Sequence, residues 1–367
     1  MIPVHVVVPA GIDDPARPSG GNAYDRRICA ALAASGWVVR ELRVPADPPA
    51  PDPATLATLA AAVAAVPDGG VVLVDGLIAS RAPAVLVPES ARVRLVVLLH
   101  MPVGVIPDAA PGAADDAADD ERAVLACARA VVTTSAWTRD RLVDRYGLAP
   151  DRVHVASPGA DVAGRSTGTA EGGRLLCVAA VVPLKGQDLL VEALTDVIGR
   201  SWSCTLAGSL DRDPEFVRRI RRQVTAVGLD DRIRLAGPLL GDDLRREYLT
   251  ADLLVLPSRF ETYGMVVTEA LAAGVPVLAT AVGGVPEALG ATGDGGPGLL
   301  VPPDDRPALA AALAGWLADA GLRERLRRAA LRRRATLPRW ADTTAAIAAV
   351  LAAVAGEPDV RSVRVPG

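Results

Sequence analysis

The segment PSRFETYGMVVTEALAAGVPVLAT, residues 257–280, decides the fold of this chain. The apolar run Leu253–Leu256 before it predicts a buried strand, and Val277–Ala279 within it predicts the next strand. Between them, residues 265–273 are good helix formers with an apolar stripe, and Gly274 ends that helix. A strand, a loop, a helix and a second strand in this order are typical of a parallel α/β sheet.

Two glutamates of this segment, Glu261 and Glu269, are candidate ligand-binding residues. If the helix begins near Gly264, Glu261 lies in the loop and Glu269 about one turn inside the helix. Both carboxylates can then face the crevice at the carboxyl end of the strand, where open α/β sheets bind ligands. Carboxylates accept paired hydrogen bonds from a diol, and the amides of Tyr263, Gly264 and Met265 would bind an anion or a sugar hydroxyl. Alternatively, Glu261 caps the helix and Glu269 is a solvated surface charge.

The composition narrows the class of protein. With 367 residues the chain is long enough for two domains. The net charge of −4 argues against a nucleic-acid-binding protein. No signal peptide or membrane-spanning run is visible, so a cytoplasmic protein is expected. The four cysteines lack the spacing of a metal site and are interpreted as small core residues.

Alternating strand and helix patterns predict two Rossmann-like, doubly wound α/β domains that face each other across a cleft. Residues 1–160 are expected to form the N-terminal domain and residues 174–338 the C-terminal domain. Residues 161–173 are rich in Gly, Ser and Thr and are interpreted as the linker. The segment 339–356 is expected to be a C-terminal helix.

Lys185 is the only lysine beside thirty-eight arginines. A compact ammonium fits a phosphate in a tight pocket where the planar fork of Arg does not. Lys185 follows a predicted strand and precedes a predicted helix, which places it at the ligand edge of the sheet. We therefore interpret Lys185 as a functional residue, the alternative being an ordinary lysine on a surface turn.

Three further features are weaker signals. The paired glycines Gly20 and Gly21 lie in a predicted loop between the first strand and the first helix, where their amides could form an anion nest. His100 ends an apolar strand and is predicted to point into the crevice, with helix capping as the alternative role. The motif Asp211–Asp213 matches a DxD metal site, but Asp213 followed by Pro214 is better interpreted as a helix start.

Several motifs, in order along the chain, resemble the family 4 retaining glycosyltransferases of the GT-B fold. The most specific is Glu261-x7-Glu269, followed by Val282-Gly-Gly-Val-Pro-Glu287 and Gly298-Leu-Leu-Val-Pro302. The motifs Pro183-Leu-Lys185-Gly-Gln-Asp-Leu-Leu190, Ser157-Pro-Gly-Ala-Asp161 and Thr133-Thr-Ser-Ala-Trp-Thr138 are also similar to family landmarks.

The resemblance implies a hexosyltransferase that uses a nucleoside-diphosphate sugar, with UDP or GDP as the expected carrier, and that requires no cofactor and no metal. Glu269 would hold the ribose diol, Glu261 the transferred hexose, and Lys185 the diphosphate. His100 would lie beside the anomeric carbon. The implied catalytic residues are His100, Lys185 and Glu261. The implied donor-binding residues are Gly20, Gly21, Lys185, Leu240, Glu261, Tyr263, Gly264, Met265 and Glu269, and the implied acceptor-binding residues are Asn22 and His100.

One position departs from the family pattern. The family usually has an arginine about five residues before the phosphate lysine, and this chain has Ala180 there. Lys185 then acts with backbone amides alone, or another arginine replaces the missing one. Ala180 is also the feature that favours a catalytically degenerate nucleotide-sugar-binding protein.

The acceptor is the least defined part of the prediction. Residues 1–157 contain 14 basic and 18 acidic side chains, which is no basic excess for a membrane surface. A soluble small-molecule acceptor is expected, and a lipid acceptor is the alternative. A non-hydrolysing sugar-nucleotide epimerase of the same architecture fits the Glu261-x7-Glu269 spacing less well.

Overall fold

The computed structural model describes residues 3–45, 52–105, 113–161, 164–290 and 296–356. The chain divides into two compact units. The first comprises residues 1–13, 20–158 and 340–367, and the second comprises residues 14–19 and 159–339. None of the described helices is long and apolar enough to cross a bilayer.

The first unit contains six strands and seven α-helices among its described residues. The strands are β1 (Pro3–Pro9), β2 (Val38–Val44), β3 (Val71–Asp75), β4 (Arg94–Leu99), β5 (Ala130–Thr133) and β6 (Val153–Val155). The helices are α1 (Gly20–Ala34), α2 (Pro53–Ala64), α3 (Gly76–Ala79), α4 (Pro83–Glu89), α5 (Ala113–Cys127), α6 (Ala136–Tyr146) and, from the end of the chain, α14 (Trp340–Gly356).

The sheet of the first unit is parallel, with the strand order β2-β1-β3-β4-β5-β6. This is the flavodoxin-like order, in which the chain reverses its direction of winding between β1 and β3. Its inner strands β3, β4 and β5 are buried on both faces because helices cover both. The switch point therefore places the residues that follow β1, β3 and β4 at one ligand-binding edge.

The second unit repeats the design with six strands and seven α-helices among its described residues. The strands are β7 (Arg174–Val178), β8 (Ser203–Ala207), β9 (Ile233–Gly237), β10 (Leu253–Leu256), β11 (Val277–Thr280) and β12 (Gly298–Val301). The helices are α7 (Gln187–Thr195), α8 (Pro214–Ala226), α9 (Gly241–Thr250), α10 (Met265–Ala272), α11 (Val285–Leu289), α12 (Arg306–Ala318) and α13 (Ala320–Arg334).

This second sheet is also parallel and has the order β12-β11-β10-β7-β8-β9. Counted from β7, that is the Rossmann order 3-2-1-4-5-6 read from the other edge. The switch point lies between β7 and β10. The loops after these two neighbouring strands are therefore the expected ligand-binding loops of this unit. The prediction of two doubly wound α/β domains is confirmed.

One local prediction differs from the structure. The glycines Gly20 and Gly21 are not in a loop but form the first turn of α1, and a loop was predicted there because glycines usually weaken a helix. Part of the predicted linker 161–173 is bound to the second unit, since the backbone amide and the hydroxyl of Thr169 both donate to Asp252. Residues 162 and 163 lie outside the described residues.

Helix α14 completes the core of the first unit, although it follows the whole second unit in sequence. Its residues Ile347 and Leu351 are fully buried among side chains of β1, β4 and α1. The ring of Trp340 packs edge-on against the ring of Tyr24, with centroids 5.5 Å apart. The Thr343 hydroxyl donates to the carbonyl oxygen of Ser157 at 2.8 Å.

The turn after β11 packs directly beneath the loop after β10. Gly283 has φ +52°, and a Cβ there would lie 1.6 Å from the carbonyl oxygen of Glu261. The next residue, Gly284, donates its amide to that same oxygen at 3.2 Å. Only a residue without a side chain can therefore occupy position 283.

Gly283→Ala is expected to lower the free energy of unfolding of the second unit by about 2–3 kcal/mol, because it forces strain and displaces the backbone of Glu261. Gly315→Ala is the matched control. Gly315 lies inside α12 with open space around it, so alanine there should stabilise by about 0.5–1 kcal/mol. Denaturant unfolding of both variants checks this, and equal effects at the two sites would contradict it.

Candidate functional site

Lys185 and Glu261 meet at the switch point of the second unit. Lys185 ends a single 3₁₀ turn, Pro183–Lys185, after β7, and Glu261 lies in the loop after β10. The lysine Nζ lies 2.6 Å from Oε1 of Glu261. The Ser258 hydroxyl donates to the same oxygen at 2.9 Å. The side chains of Lys185 and Glu261 are 18% and 12% exposed, so a ligand can reach them while most of the ion pair is shielded.

The two loops are fixed to each other by the backbone. Gly186 has φ +67°, and a Cβ there would lie 2.1 Å from the carbonyl oxygen of Pro257. The amide of Arg259 donates to the carbonyl oxygen of Leu184 at 2.8 Å. Its guanidinium donates to Asp188 at 2.9 Å and to the carbonyl oxygen of Pro183. Arg259, in the loop after β10, therefore stabilises the turn that contains Lys185.

Ala180 occupies the position where the family usually has an arginine, and its backbone is held by a hydrogen bond from a side chain of α7. The carbonyl oxygen of Ala180 accepts a hydrogen bond from Nε2 of Gln187 at 2.9 Å. Gln187 is fully buried, so this bond fixes the loop between β7 and α7 from the inside.

Glu269 is held by a residue that the sequence analysis did not identify. The Tyr248 hydroxyl on α9 donates to Oε2 of Glu269 at 2.7 Å. Burial, and secondarily the charge of Glu269, raise the pKa of Tyr248 well above its usual value, so the hydroxyl remains a donor. Glu269 is half-buried and is not the solvated surface charge of the alternative interpretation. A single buried tyrosine in a helix otherwise rich in charged residues gives no sequence signal for this role.

The start of α10 is open to a ligand. The helix begins at Met265, and Gly264 before it has φ +87° and provides no side-chain cap. Glu261 is therefore not the helix cap. Within the described residues, the amides of Tyr263, Gly264 and Met265 donate no hydrogen bond. Leu240, the predicted base contact, precedes α9 and is 47% exposed.

His100 lies at the switch point of the first unit with two buried carboxyl groups. Its Nε2 is 2.7 Å from Oδ1 of Asp25 on α1 and 3.7 Å from Oδ2 of Asp75 at the end of β3. Burial disfavours the charged ring, but the charge of Asp25 and its hydrogen bond outweigh burial and raise the pKa of His100. Burial and the charge of Asp25 also raise the pKa of Asp75, to about 8.

The first turn of α1 packs against this histidine. A Cβ at Gly21 would lie 3.2 Å from Cδ2 of His100, so the glycine allows the ring to approach the helix closely. Tyr24 contacts the other side of the ring edge-on, with centroids 5.0 Å apart. Gly20, Gly21 and Asn22 form the first turn of α1, and the dipole of a helix favours an anion at this end. An anion bound here, as the sequence predicts, would therefore contact the N-terminus of a helix and not a nest of loop amides.

Asp25, Asp75 and His100 are the group of described residues whose ligand-type atoms lie closest together, within 4.8 Å. The 2.7 Å contact between the imidazole and Asp25 is a direct hydrogen bond. We therefore interpret the group as a hydrogen-bonded cluster. Asp213 of the DxD motif caps α8 through the amide of Phe216 at 2.8 Å, as the sequence predicts.

The segment after His100 is anchored by Glu121, a second residue that the sequence analysis missed. Glu121 on α5 is fully buried. Its carboxylate accepts hydrogen bonds from the amides of Val103 and Gly104 at 2.9 and 3.2 Å. It also accepts from the hydroxyls of Ser80 and Tyr146 at 2.7 and 2.5 Å. One side chain thus connects the backbone beyond β4 to three helices.

The two units each match a family model. Residues 2–163 match the model described as Glycosyltransferase Family 4, and residues 167–333 match the model described as Glycosyl transferases group 1. The boundary between these matches lies close to the boundary between the two compact units.

Curated relatives carry the name D-inositol 3-phosphate glycosyltransferase. The protein of Catenulispora acidiphila is 31% identical over 291 residues, which cover 72% of this chain and 68% of the relative. The protein of Acidothermus cellulolyticus is 35% identical over 233 residues, which cover 58% of this chain. The match spans 50% of the length of that second relative.

Solved structures share the fold at lower identity. Sucrose-phosphate synthase from Thermosynechococcus elongatus has a TM-score of 0.81 and 23% identity, covering 96% of this chain and 99% of that chain. HepE of Anabaena in complex with UDP and glucose has a TM-score of 0.75 and 19% identity, covering 96% and 100%. These likenesses show the architecture. The two family models and the Catenulispora relative show that this chain belongs to the family 4 glycosyltransferases, and the solved structures show that it has the GT-B fold.

Proposed function

We propose that this chain is a retaining, metal-independent hexosyltransferase that transfers a hexose from a nucleoside-diphosphate sugar to a hydroxyl of a small acceptor. UDP is the first candidate for the carrier and GDP the second. The single observation that carries the proposal is the pairing of Lys185 with Glu261 at the switch point of the Rossmann-ordered sheet. A cation for the diphosphate and a carboxylate for the sugar hydroxyls meet there.

The chemistry of each group fits one part of such a donor. The free amides at the start of α10 and the Lys185 ammonium would stabilise the negative charge that develops on the departing diphosphate. Glu269, held by Tyr248, presents a carboxylate oxygen to a ribose diol. When the donor binds, Glu261 would exchange its contact with Lys185 for sugar hydroxyls, which frees the lysine for phosphate.

A phosphorylated polyol is the first acceptor class to test. The curated relatives are named for inositol 3-phosphate, and the amides in the first turn of α1 are suited to a phosphate. The Anabaena HepE structures contain UDP, glucose and UDP-glucose, which favours UDP-glucose as the first donor to test.

The test combines binding and turnover. UDP, GDP, ADP and TDP are first compared by thermal shift on the wild type and Lys185→Ala. A nucleotide at 100 times its Kd stabilises by about 2.7 kcal/mol. The sugar conjugate of the best nucleotide is then incubated with inositol phosphates after chelation of metals, and the product is examined by NMR for the configuration of the new bond.

The proposal requires one nucleotide to produce a shift that Lys185→Ala loses, and product of retained configuration to form with the chelator present. An inverted product, or turnover that a divalent metal restores, would contradict the stated mechanism. Nucleotide binding without turnover on any acceptor would favour the degenerate binding protein.

Tyr248→Phe is expected to weaken nucleotide binding about tenfold, because Glu269 loses the hydrogen bond that orients it, a bond worth about 1.5 kcal/mol. Isothermal titration with UDP measures the change. The effect should act through Glu269, so the double variant with Glu269→Gln should bind no more weakly than Glu269→Gln alone. Additive losses in the double variant would show that Tyr248 acts independently.

A further inference from the structure

Three titratable side chains at the switch point of the first unit form a closed cluster. Asp25 comes from α1, Asp75 from the end of β3 and His100 from the residue after β4. The carboxyl groups are almost fully buried, with Asp25 2% and Asp75 6% exposed, whereas the His100 side chain is 17% exposed. Only the histidine is therefore in a position to contact a ligand.

The charges in this cluster do not balance if both carboxyl groups are ionised. His100 is the cationic group that faces the pair, and the titratable groups acting on it are Asp25 and Asp75. Tyr24 and Cys29 also lie beside Asp25, but burial and the charge of Asp25 raise the pKa of both, so they remain neutral. Two buried anions beside one cation would leave a net charge in a low-dielectric site.

The hydrogen bonds lead to the same proton count. Oδ1 of Asp25 contacts Nε2 of His100, but Oδ2 of Asp25 is buried without a donor among the described residues. An unsatisfied buried carboxylate oxygen is costly. One carboxyl oxygen of Asp75 lies within 4.8 Å of one carboxyl oxygen of Asp25. Two ionised carboxylates are both acceptors, so a bond between them requires one proton.

We infer that Asp25 and Asp75 share one proton and thereby hold His100 as an imidazolium, with Nε2–H donated to Asp25 and Nδ1–H left for an oxygen of the bound ligand. The cluster then carries two protons and no net charge. Asp25 and Asp75 are positioning residues, because they act through His100. That the oxygen belongs to a sugar or phosphate rests on the proposed function, whereas the proton count does not.

The experiment uses the ligand-free full chain labelled with 15N-histidine. The chain has three histidines, and His5 and His154 serve as internal reporters of folding. A His100→Gln spectrum assigns the third ring. At pH 7, both ring nitrogens of His100 are expected at imidazolium positions. As the pH is raised above 7, the ring should titrate in two coupled steps, because Asp75 ionises with a pKa of about 8.

Two isosteric variants separate the partners. In Asp75→Asn, the uncharged asparagine side chain can still donate a hydrogen bond to Asp25. His100 should therefore remain an imidazolium at pH 7 and titrate in one step. Asp25→Asn removes the hydrogen-bonded carboxylate and leaves Asp75 as the nearest carboxyl, 3.7 Å from Nε2, so the pKa of His100 should fall below its wild-type value. In both variants the His5 and His154 signals should be unchanged.

A neutral His100 at pH 7 in the wild type would overturn the inference, and so would the same one-step titration in the wild type and Asp75→Asn. Addition of Zn²⁺ to the labelled protein tests whether the cluster binds a metal instead. A zinc-induced change in the His100 signals at stoichiometric metal, absent in Asp25→Asn, would identify a metal site instead. Because no sugar nucleotide is present, failure of the transfer assay leaves these outcomes unaffected.

Discussion

Lys185→Met is expected to lower the rate constant for sugar transfer, kcat, by about 10²–10³-fold, the usual cost of removing one group that stabilises the developing charge of a transition state. The lysine is the cation at the switch point of the second unit, and its ammonium contacts Glu261. Steady-state kinetics with the sugar nucleotide that the thermal-shift comparison selects measures the change. Retention of more than a tenth of the wild-type kcat would contradict the role.

A matched control separates charge from position. Arg218 lies exposed on α8 in the same unit. Arg218→Met removes the same charge outside the site and should leave kcat within about twofold. Lys185→Arg keeps the charge but replaces a thin stem with a planar fork. We expect that variant to remain impaired, because the Lys185 turn has no room to shift against Pro257.

A second variant separates catalysis from stability. Removing Lys185 leaves the Glu261 carboxylate with Ser258 as its remaining described hydrogen-bond partner. The loss of one partner of a shielded ion pair is destabilising, so Lys185→Met should also unfold more readily. The double variant with Glu261→Gln removes both charges. It should regain stability and remain inactive, whereas recovery of activity would show that the lysine serves only to neutralise Glu261.

Glu121→Ala is expected to lower the free energy of unfolding of the first unit by about 3–5 kcal/mol. The substitution leaves four donors without their acceptor in a fully buried site, and each such group costs about 1–3 kcal/mol before solvent and neighbouring groups compensate. Hydrogen exchange followed by mass spectrometry resolves the effect to this unit and to the amides of Val103 and Gly104.

The control for this prediction lies on the same helix. Asp119 is 68% exposed and pairs with Arg122 at the surface. Asp119→Ala should change stability by no more than about 0.5 kcal/mol. Glu121→Gln keeps the volume and one acceptor and should fall between the two. Equal stability of the Glu121 and Asp119 variants would show that the buried carboxylate does not hold the segment.

The sequence predicted the architecture because hydrophobic runs and helix punctuation are local signals. Strands such as Leu253–Leu256 and the helix start at Asp213 follow from neighbours within a few residues. Lys185 was identified by its rarity in an arginine-rich chain. Its contact with Glu261 depends on strand order, which places residues 76 positions apart on adjacent loops, and no local pattern encodes that order.

The residues that support the site could not be identified from sequence for the same reason. Tyr248, Asp75 and Glu121 act through partners on other helices and strands. In its own segment each of them is an ordinary residue for a helix or a strand end, so the local sequence does not single it out. The first turn of α1 was misidentified because glycines usually weaken a helix. Here Gly21 is required for the approach of His100, a tertiary contact that outweighs local propensity.

Helix α14 has a consequence for synthesis of the protein. The nascent chain contains every strand of the first sheet once residue 158 has been added, but the helix that covers one face is complete only at residue 356. At about 5–20 residues per second, translation of the intervening part takes about 10–40 s. During that interval the apolar surface that later receives Ile347 and Leu351 is not covered by α14, and it is the surface of the incomplete chain where a chaperone would act.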